Sequence, residues 1–376
     1  MSSVKYCSPY EDHTGYGEAS RNAIMALVTA GCDVVTEKVR FVSKKCEHSV
    51  AYQVAEELKD KKTPYNIKIL HVTPDIYKNY IEKGKYHIGH LFWETDRLPK
   101  SWVTSCNLLD EVWTGTEWNA KVIRDSGVKK PVIVYPQAVN TKLESKRPYL
   151  LPKKDVFVFY SIFEWSERKN PKALLQAFWK EFKDDKDVVL LIKTFKGDYS
   201  DEGRATIFND IKRWKNELGF TSYPTVYVCT ELLDRDGITR FHATGNCFVS
   251  AHRGEGWGLP QAEAAILGKP IISTKIGGIH DYMNGRHYKF VEYDLVPIKQ
   301  NINKYYEVGM LWAEVKEESL RERMRRMYEI WKTQEKRIMS LQGSLAKRLV
   351  IDSFSYAIVG RDMASRLDMI NRELGK

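Results

Sequence analysis

Short apolar runs alternate with amphipathic stretches along most of this chain, and that alternation admits few folds. Arg21 to Ala30 predicts a helix: Ala23, Ile24, Leu27 and Val28 share one face, and Gly31 ends it. Ile67 to Val72 predicts a strand, as does Glu111 to Thr114. Trp118 to Asp125 predicts a helix, and Val132 to Tyr135 a strand closed by Pro136. Such an order predicts a mostly parallel sheet with helices on both faces.

Thr141 to Asp155 breaks the rhythm. It is rich in Lys, Arg and Pro and poor in apolar periodicity, which predicts a linker. A second series follows. Val156 to Tyr160, Val188 to Lys193, Val226 to Cys229, Cys247 to Ser250 and Pro270 to Ser273 read as strands. Pro171 to Phe182, Ile207 to Leu218 and Pro260 to Leu267 read as helices between them. The chain of 376 residues thus divides into two doubly wound domains. After Pro297 the pattern turns to long helix, dense in Arg, Lys, Glu and Met from Leu320 to Leu349. An amphipathic helix from Ser353 to Leu374 closes the chain.

Composition excludes several classes. No apolar run approaches the roughly 18 residues of a spanning helix, and Met1-Ser-Ser-Val-Lys-Tyr6 lacks the apolar core of a secretory signal. The six cysteines (Cys7, Cys32, Cys46, Cys106, Cys229, Cys247) form no C-x-x-C pair, so a metal site is not expected and reduced thiols in a cytoplasmic protein are. The formal charge of +10 predicts acidic company: nucleic acid, an anionic membrane or a phosphorylated ligand.

The sharpest signal lies between a strand and a helix: Glu255-Gly-Trp-Gly-Leu-Pro-Gln-Ala-Glu-Ala264. Gly256 and Gly258 leave the backbone bare just before the helix that starts near Pro260, and bare amides at a helix N-terminus suit a phosphate. Glu255 can accept two hydrogen bonds from vicinal hydroxyls of a sugar. Glu263, two turns on, can do the same for a ribose. A sugar nucleotide presents this set of groups.

This stretch resembles the E-x7-E hallmark of family 4 glycosyltransferases, with Trp257 for their usual Phe; Gly268 to Ser273 and Gly277-Gly278 match as well. The resemblance implies the GT-B fold, two Rossmann-like domains facing each other across a cleft, with the C-terminal helix crossing back to the first domain. On that reading residues 1–148 with 353–376 form the acceptor domain and 149–352 the donor domain. It further implies retention at the anomeric carbon without a metal ion or other cofactor, and a UDP- or GDP-sugar as co-substrate.

Other positions take expectations from the same family. An Arg and a Lys grip the donor diphosphate after the first strand of the second domain. Lys169 matches the Lys; Glu164 stands where the Arg is expected, so Arg168 is the substitute. Fixed cations there stabilise the charge that develops on the leaving diphosphate. Gly15, Tyr16 and Gly17 match the glycine-rich loop that nears the diphosphate and the acceptor. Phe92-Trp-Glu-Thr-Asp-Arg-Leu-Pro99 matches a run in a subset of the family; His90 and Glu94 are its candidates for the catalytic cleft, whereas Phe92 reads as packing. Thr230 and Leu232, just after a strand, are candidates for the donor base pocket.

The expected mechanism is a same-face transfer with a phosphate oxygen taking the acceptor proton. Glu255 orients the sugar in this reading, and neither it nor Glu94 is assigned as a nucleophile. The acceptor is open: a glycan, a lipid-linked sugar, a protein, or DNA with hydroxymethylated bases. Arg321 to Tyr328 and the later basic helix could face an anionic membrane or DNA, or be a solvated face with Met327, Ile330, Trp331 and Met339 docked inward. Two alternatives remain: a nucleic-acid-binding protein that keeps the scaffold without transfer, and an epimerase or phosphorylase of the same fold.

Overall fold

Two parallel six-stranded sheets organise the chain, each the centre of its own unit. The computed structural model describes residues 2–42, 49–144, 146–283, 288–333 and 336–375. One unit holds Met1–Lys142, Ile298–Met310 and Ile351–Lys376; the other holds Leu143–Pro297 and Leu311–Val350.

In the first unit the strands are β1 (Ser3–Ser8), β2 (Asp33–Lys38), β3 (Ile67–Leu70), β4 (Tyr86–His90), β5 (Glu111–Thr114) and β6 (Val132–Val134). They run in the order β2-β1-β3-β4-β5-β6, every pairing parallel. Helices α1 (Gly15–Thr29), α2 (Val50–Glu57), α3 (Lys100–Cys106) and α4 (Glu117–Asp125) connect them. The order reverses at β1, which has β2 on one side and β3 on the other. Ligands of open parallel sheets gather at the strand ends beside such a reversal.

The second unit repeats the plan. Its strands are β7 (Phe157–Glu164), β8 (Val188–Phe195), β9 (Val226–Cys229), β10 (Cys247–Ser250), β11 (Ile271–Thr274) and β12 (Tyr288–Val291), ordered β12-β11-β10-β7-β8-β9 and all parallel. Here the reversal lies between β7 and β10. Helices α5 (Pro171–Glu181), α6 (Asp201–Leu218), α7 (Arg235–Thr244), α8 (Leu259–Ile266) and the short α9 (Ile279–Tyr282) belong to it. Phe157, Phe159, Leu190, Ile192, Phe178 and Phe182 fill its core.

The region after Pro297 departs from the expected long helix. β13 (Tyr293–Pro297) and β14 (Leu311–Val315) pair antiparallel, and residues 298–310 between them group with the first unit. There Tyr306 stacks on Trp93 at 5.3 Å and Tyr305 meets Trp102 edge-on at 5.1 Å. Aromatic packing, not helical periodicity, organises that segment. Helices follow: α10 (Glu317–Lys332), α11 (Lys336–Phe354) and α12 (Tyr356–Glu373). The expected linker is also partly absorbed. The Tyr149 amide donates to Thr244 at 2.8 Å, and Arg240 covers the Tyr149 ring at 4.3 Å.

On α10 the inward reading of the apolar residues holds. Met327 and Ile330 are buried, while Trp331 and, beyond this helix, Met339 pack against the second core. Its arginines are engaged: Arg321 and Arg325 pair with Glu181 at 2.9 and 2.7 Å, and Arg325 also with Asp185. α12 lies on α1, with Leu367 and Ile370 fully buried; burial of such a side chain contributes about 1.5–3 kcal/mol. Arg366 on this helix pairs with the buried Glu111 at 2.5 Å. Cys7, Cys106 and Cys247 are buried thiols, Cys32 and Cys229 half-buried ones, and Cys46 lies outside the described residues.

Candidate active site

The two loops at the β7–β10 reversal carry Arg168, Lys169, Glu255, Gly256, Trp257 and Gly258 of the predicted site. After β7, a short helical turn from Glu167 to Lys169 leads to Asn170, which takes a left-handed backbone (φ 53°) and caps α5 by accepting from the Ala173 amide. This turn brings Arg168 and Lys169 to the strand end. After β10, residues 251–258 form the second loop and Leu259 begins α8. Gly258 sits at φ 94°, a conformation that L side chains rarely adopt, and so admits the sharp entry into α8. The arm carrying Gly277 and Gly278 closes on the loop from behind. The Gly278 amide donates to the Glu255 carbonyl at 2.9 Å, and a Cβ at Gly277 would collide with that same carbonyl.

Lys169 and Glu255 meet here as an ion pair, both side chains nearly buried. Burial by itself would push the Glu255 carboxyl up; the charges of Lys169 and Arg168 outweigh it and hold it at about 2. Arg168 donates to the Gly254 carbonyl at 2.8 Å and so clamps the second loop to the first. Arg253 braces the other side: it pairs with Glu314 at 2.6 Å and lies over Trp312 at 4.9 Å. His252 is fully buried, and burial lowers it to about 4, so it is neutral; its Nδ1 is 3.0 Å from the Ser250 hydroxyl. Gly256 and Trp257 are buried in the same loop, and Leu259 is half-buried at the start of α8.

Glu263 occupies a different setting from the open carboxylate the spacing suggested. Arg235 holds one of its oxygens at 2.6 Å, and His242 lies 3.4 Å from the other. His242 Nδ1 is in turn 3.0 Å from the Tyr160 hydroxyl. Burial opposes ionisation of Glu263, but Arg235 and the His242 hydrogen bond bring its pKa below the ordinary value. The arrangement pre-orients Glu263 within a fixed polar chain. Thr230 and Leu232 lie beyond β9 on the same edge of the sheet, two strands from β7, and Leu232 is exposed.

The first unit gathers its own set at the β1–β3 reversal and beside it. Thr14 caps α1 by accepting from the Gly17 amide at 3.3 Å. Gly17 is a packing glycine, because a Cβ there would collide with the Asp12 carbonyl, whereas Gly15 faces open space. Tyr16, half-buried, stands 4.9 Å from the His71 ring. His71, just after β3, and His90, at the end of β4, lie 4.4 Å apart between ring centres. Both Nδ1 atoms reach the Tyr6 hydroxyl, at 2.8 and 3.1 Å. A phenol has one proton, so it donates to one ring and accepts from the other; the two imidazoles are opposite tautomers. Burial keeps both neutral, His90 at about 3. Among the described residues neither Nε2 has a hydrogen-bond partner. Glu94 is half-buried and accepts from the Tyr306 hydroxyl at 3.1 Å. Phe92 lies against His90 at 5.3 Å between ring centres.

Sequence reasoning missed Tyr6, His71, Arg235, His242 and His252. Of these only His252 carried a signal, its place inside the motif loop; the others lie far from it in sequence. Among the described residues no group of three His, Cys, Asp or Glu side chains is placed to hold a metal, and no helix is long and apolar enough to cross a membrane.

The family model described as "Glycosyl transferases group 1" matches residues 154–307. No curated protein matches the chain. Among solved structures, the sucrose-phosphate synthase of Thermosynechococcus elongatus aligns with a TM-score of 0.72 at 13% identity, over 99% of this chain and 100% of that one. Alr3699/HepE of Anabaena, solved with UDP and glucose, aligns with a TM-score of 0.68 at 10% identity, over 98% and 100%. A glycosyltransferase of Rickettsia africae aligns at 0.65 and 14% identity, over 98% of each chain. The chain has the GT-B fold.

Proposed function

We propose that this protein is a retaining glycosyltransferase of the family 4 type, moving a sugar from a nucleoside diphosphate sugar to a hydroxyl acceptor. The observation that carries the reading is the meeting of Arg168, Lys169 and Glu255 at the β7–β10 reversal, beside the Gly256–Gly258 backbone and the start of α8. The match of residues 154–307 to group 1 glycosyl transferases covers this set and supports it.

In this reading the diphosphate lies against the α8 N-terminus, and Lys169 turns part of its charge from Glu255 to the phosphate oxygens. Glu255 accepts hydrogen bonds from the donor sugar and Glu263 from the ribose. Thr230 and Leu232 border the base, uridine or guanosine. The acceptor oxygen attacks the anomeric carbon on the face from which the diphosphate departs. The bond between that carbon and the diphosphate oxygen breaks, and a phosphate oxygen takes the acceptor proton. Arg168 and Lys169 supply the countercharge, so turnover is proposed to proceed without a metal ion. Gly15, Tyr16, His90 and Glu94 of the first unit are assigned to the sugar and the acceptor, whose class the reading leaves as a hydroxyl compound.

The test is nucleotide release from a panel of UDP- and GDP-sugars in the presence of a chelator, with product anomers read by NMR. Release from one donor that Glu255→Ala and Lys169→Ala abolish supports the assignment. Full turnover in both variants removes it, and an inverted anomer removes the retaining step.

A further inference from the structure

Lys193, near the end of β8, is a buried cation that the proposed transfer does not use. Its register partners are Ile162 on β7 and Cys229, the last residue of β9, so it stands beside the strand that ends at Thr230. Leu190, Ile192, Val226 and Val228 turn into the core beneath α5 and α6. Side chains alternate along a strand, so Lys193 and Cys229 face the other side of the sheet. Tyr160, in register with Leu191, faces that side too and leads through His242 to Glu263. The Lys193 ammonium donates to the Tyr199 hydroxyl at 3.2 Å and the Thr194 carbonyl at 3.4 Å. An ammonium has three donors, so one is left unspent. Among the described residues no carboxylate lies within ion-pair distance of it; Glu231, which pulls on its charge, pairs with Arg204 at 3.0 Å. Tyr199 takes a left-handed backbone (φ 65°) and stacks on Phe195 at 4.5 Å, with the ammonium 4.7 Å from its ring centre. Such a backbone is strained in a tyrosine and persists only where its surroundings enforce it. Burial lowers the Lys193 pKa to about 8, so the fold keeps this charge at a cost.

We propose that Lys193 reads the base of the donor nucleotide. Its unspent N–H donates to the O4 carbonyl of uracil or the O6 carbonyl of guanine. Cytosine and adenine carry an amino group at those positions, which sets a donor against a donor. Lys193 thus determines specificity and touches no reacting atom. Glu263, assigned to the ribose, lies on the same face of the sheet, and Thr230 and Leu232 follow the strand beside Lys193. Ribose and base are therefore read from one side. A packing role does not account for the charge, because a methionine fills similar space without it. The inference rests on the reading of this unit as the donor unit and adds the chemistry by which it selects among donors.

The experiment is calorimetric titration of the full chain with UDP, GDP, CDP and ADP, and with inorganic pyrophosphate, which has no base. UDP or GDP is expected to bind more tightly than CDP and ADP by about tenfold or more, the usual worth of a hydrogen bond from a charged donor. Lys193→Met should weaken that nucleotide by the same factor and leave CDP, ADP and pyrophosphate as they were, so that the preference disappears. Circular dichroism and Tm verify that the variant is folded. Lys169→Ala should weaken all five ligands. If Lys169→Ala weakens none of them, the donor reading fails and the inference falls with it. If Lys169→Ala does weaken them but the wild type binds CDP or ADP as tightly as UDP and GDP, the inference alone is overturned. A preference that survives in Lys193→Met overturns it too. Equal weakening of all five ligands by Lys193→Met gives Lys193 a structural role and likewise overturns it.

Discussion

Lys169 and Glu255, 86 residues apart in sequence, form one ion pair because β7 and β10 are neighbours in the sheet. A buried pair of this kind contributes little net stability, because desolvation offsets the attraction. Its value lies in holding an ammonium beside a loop of bare amides. Lys169→Ala is expected to lower donor turnover by about 10²–10³-fold, the usual loss on removing one group that stabilises developing charge. Lys169→Arg should recover part of it. Nucleotide release checks both. Glu255 remains ionised throughout the neutral range, and its contribution to stability is present above 4.5 and lost only as pH falls toward about 2.

Stability should fall on mild acidification through the buried imidazoles. Burial lowers His71, His90 and His252 below the ordinary 6.5, His90 to about 3 and His252 to about 4. The unfolded chain takes up these protons near 6.5 and the folded chain does not. Stability is therefore full above 6.5 and is lost as pH drops below it. Each histidine contributes a slope of up to about 1.4 kcal/mol per pH unit. Urea unfolding at pH 7, 6 and 5 measures the slope, and His90→Gln should flatten it.

Gly277→Ala is expected to harm activity more than folding. Gly277 has φ 78°, and the added Cβ would strike the Glu255 carbonyl, so the loop must move. A displacement near 1 Å at a reacting centre costs about 10²-fold in rate. Comparison of kcat/KM with Tm tests this, with Gly219→Ala as a positive-φ control facing open space.

Gly360 sets how closely α12 approaches α1, since a Cβ there would meet the Ala26 carbonyl. Gly360→Leu should destabilise the protein by about 1–3 kcal/mol or more through overpacking. Chemical denaturation measures the loss. An unchanged midpoint would place the helix contact elsewhere.

Lys193 is an amine buried in the second unit, 2% exposed, with the Tyr199 hydroxyl at 3.2 Å as a side-chain partner. Burial lowers its pKa from 10.5 to about 8. The folded state thus holds the charged amine at a cost at pH 7, and stability rises as pH climbs from about 8 to 10.5. Lys193→Met, which keeps length without charge, is expected to raise stability at pH 7 by about 1–3 kcal/mol, read by urea midpoint.

Local chemistry made much of the molecule legible before folding was considered. The strands Glu111–Thr114, Val226–Cys229 and Cys247–Ser250 lie where their apolar runs and flanking turn residues put them. The motif from Glu255 to Ala264 announced its loop and helix through glycine, proline and spacing alone. By contrast, Asp33–Lys38 and Tyr86–His90 carry too little apolar pattern to announce a strand. They are strands because β1, β3 and β5 pair with them. Tertiary structure likewise decided that Lys169 pairs with Glu255, that Arg235 and His242 hold Glu263, and that Tyr6 joins His71 to His90. Periodicity and turn chemistry act over a few residues, so one strand of sequence contains them. Sheet order joins residues tens of positions apart, and only the folded arrangement of strands determines which side chains come to share a site.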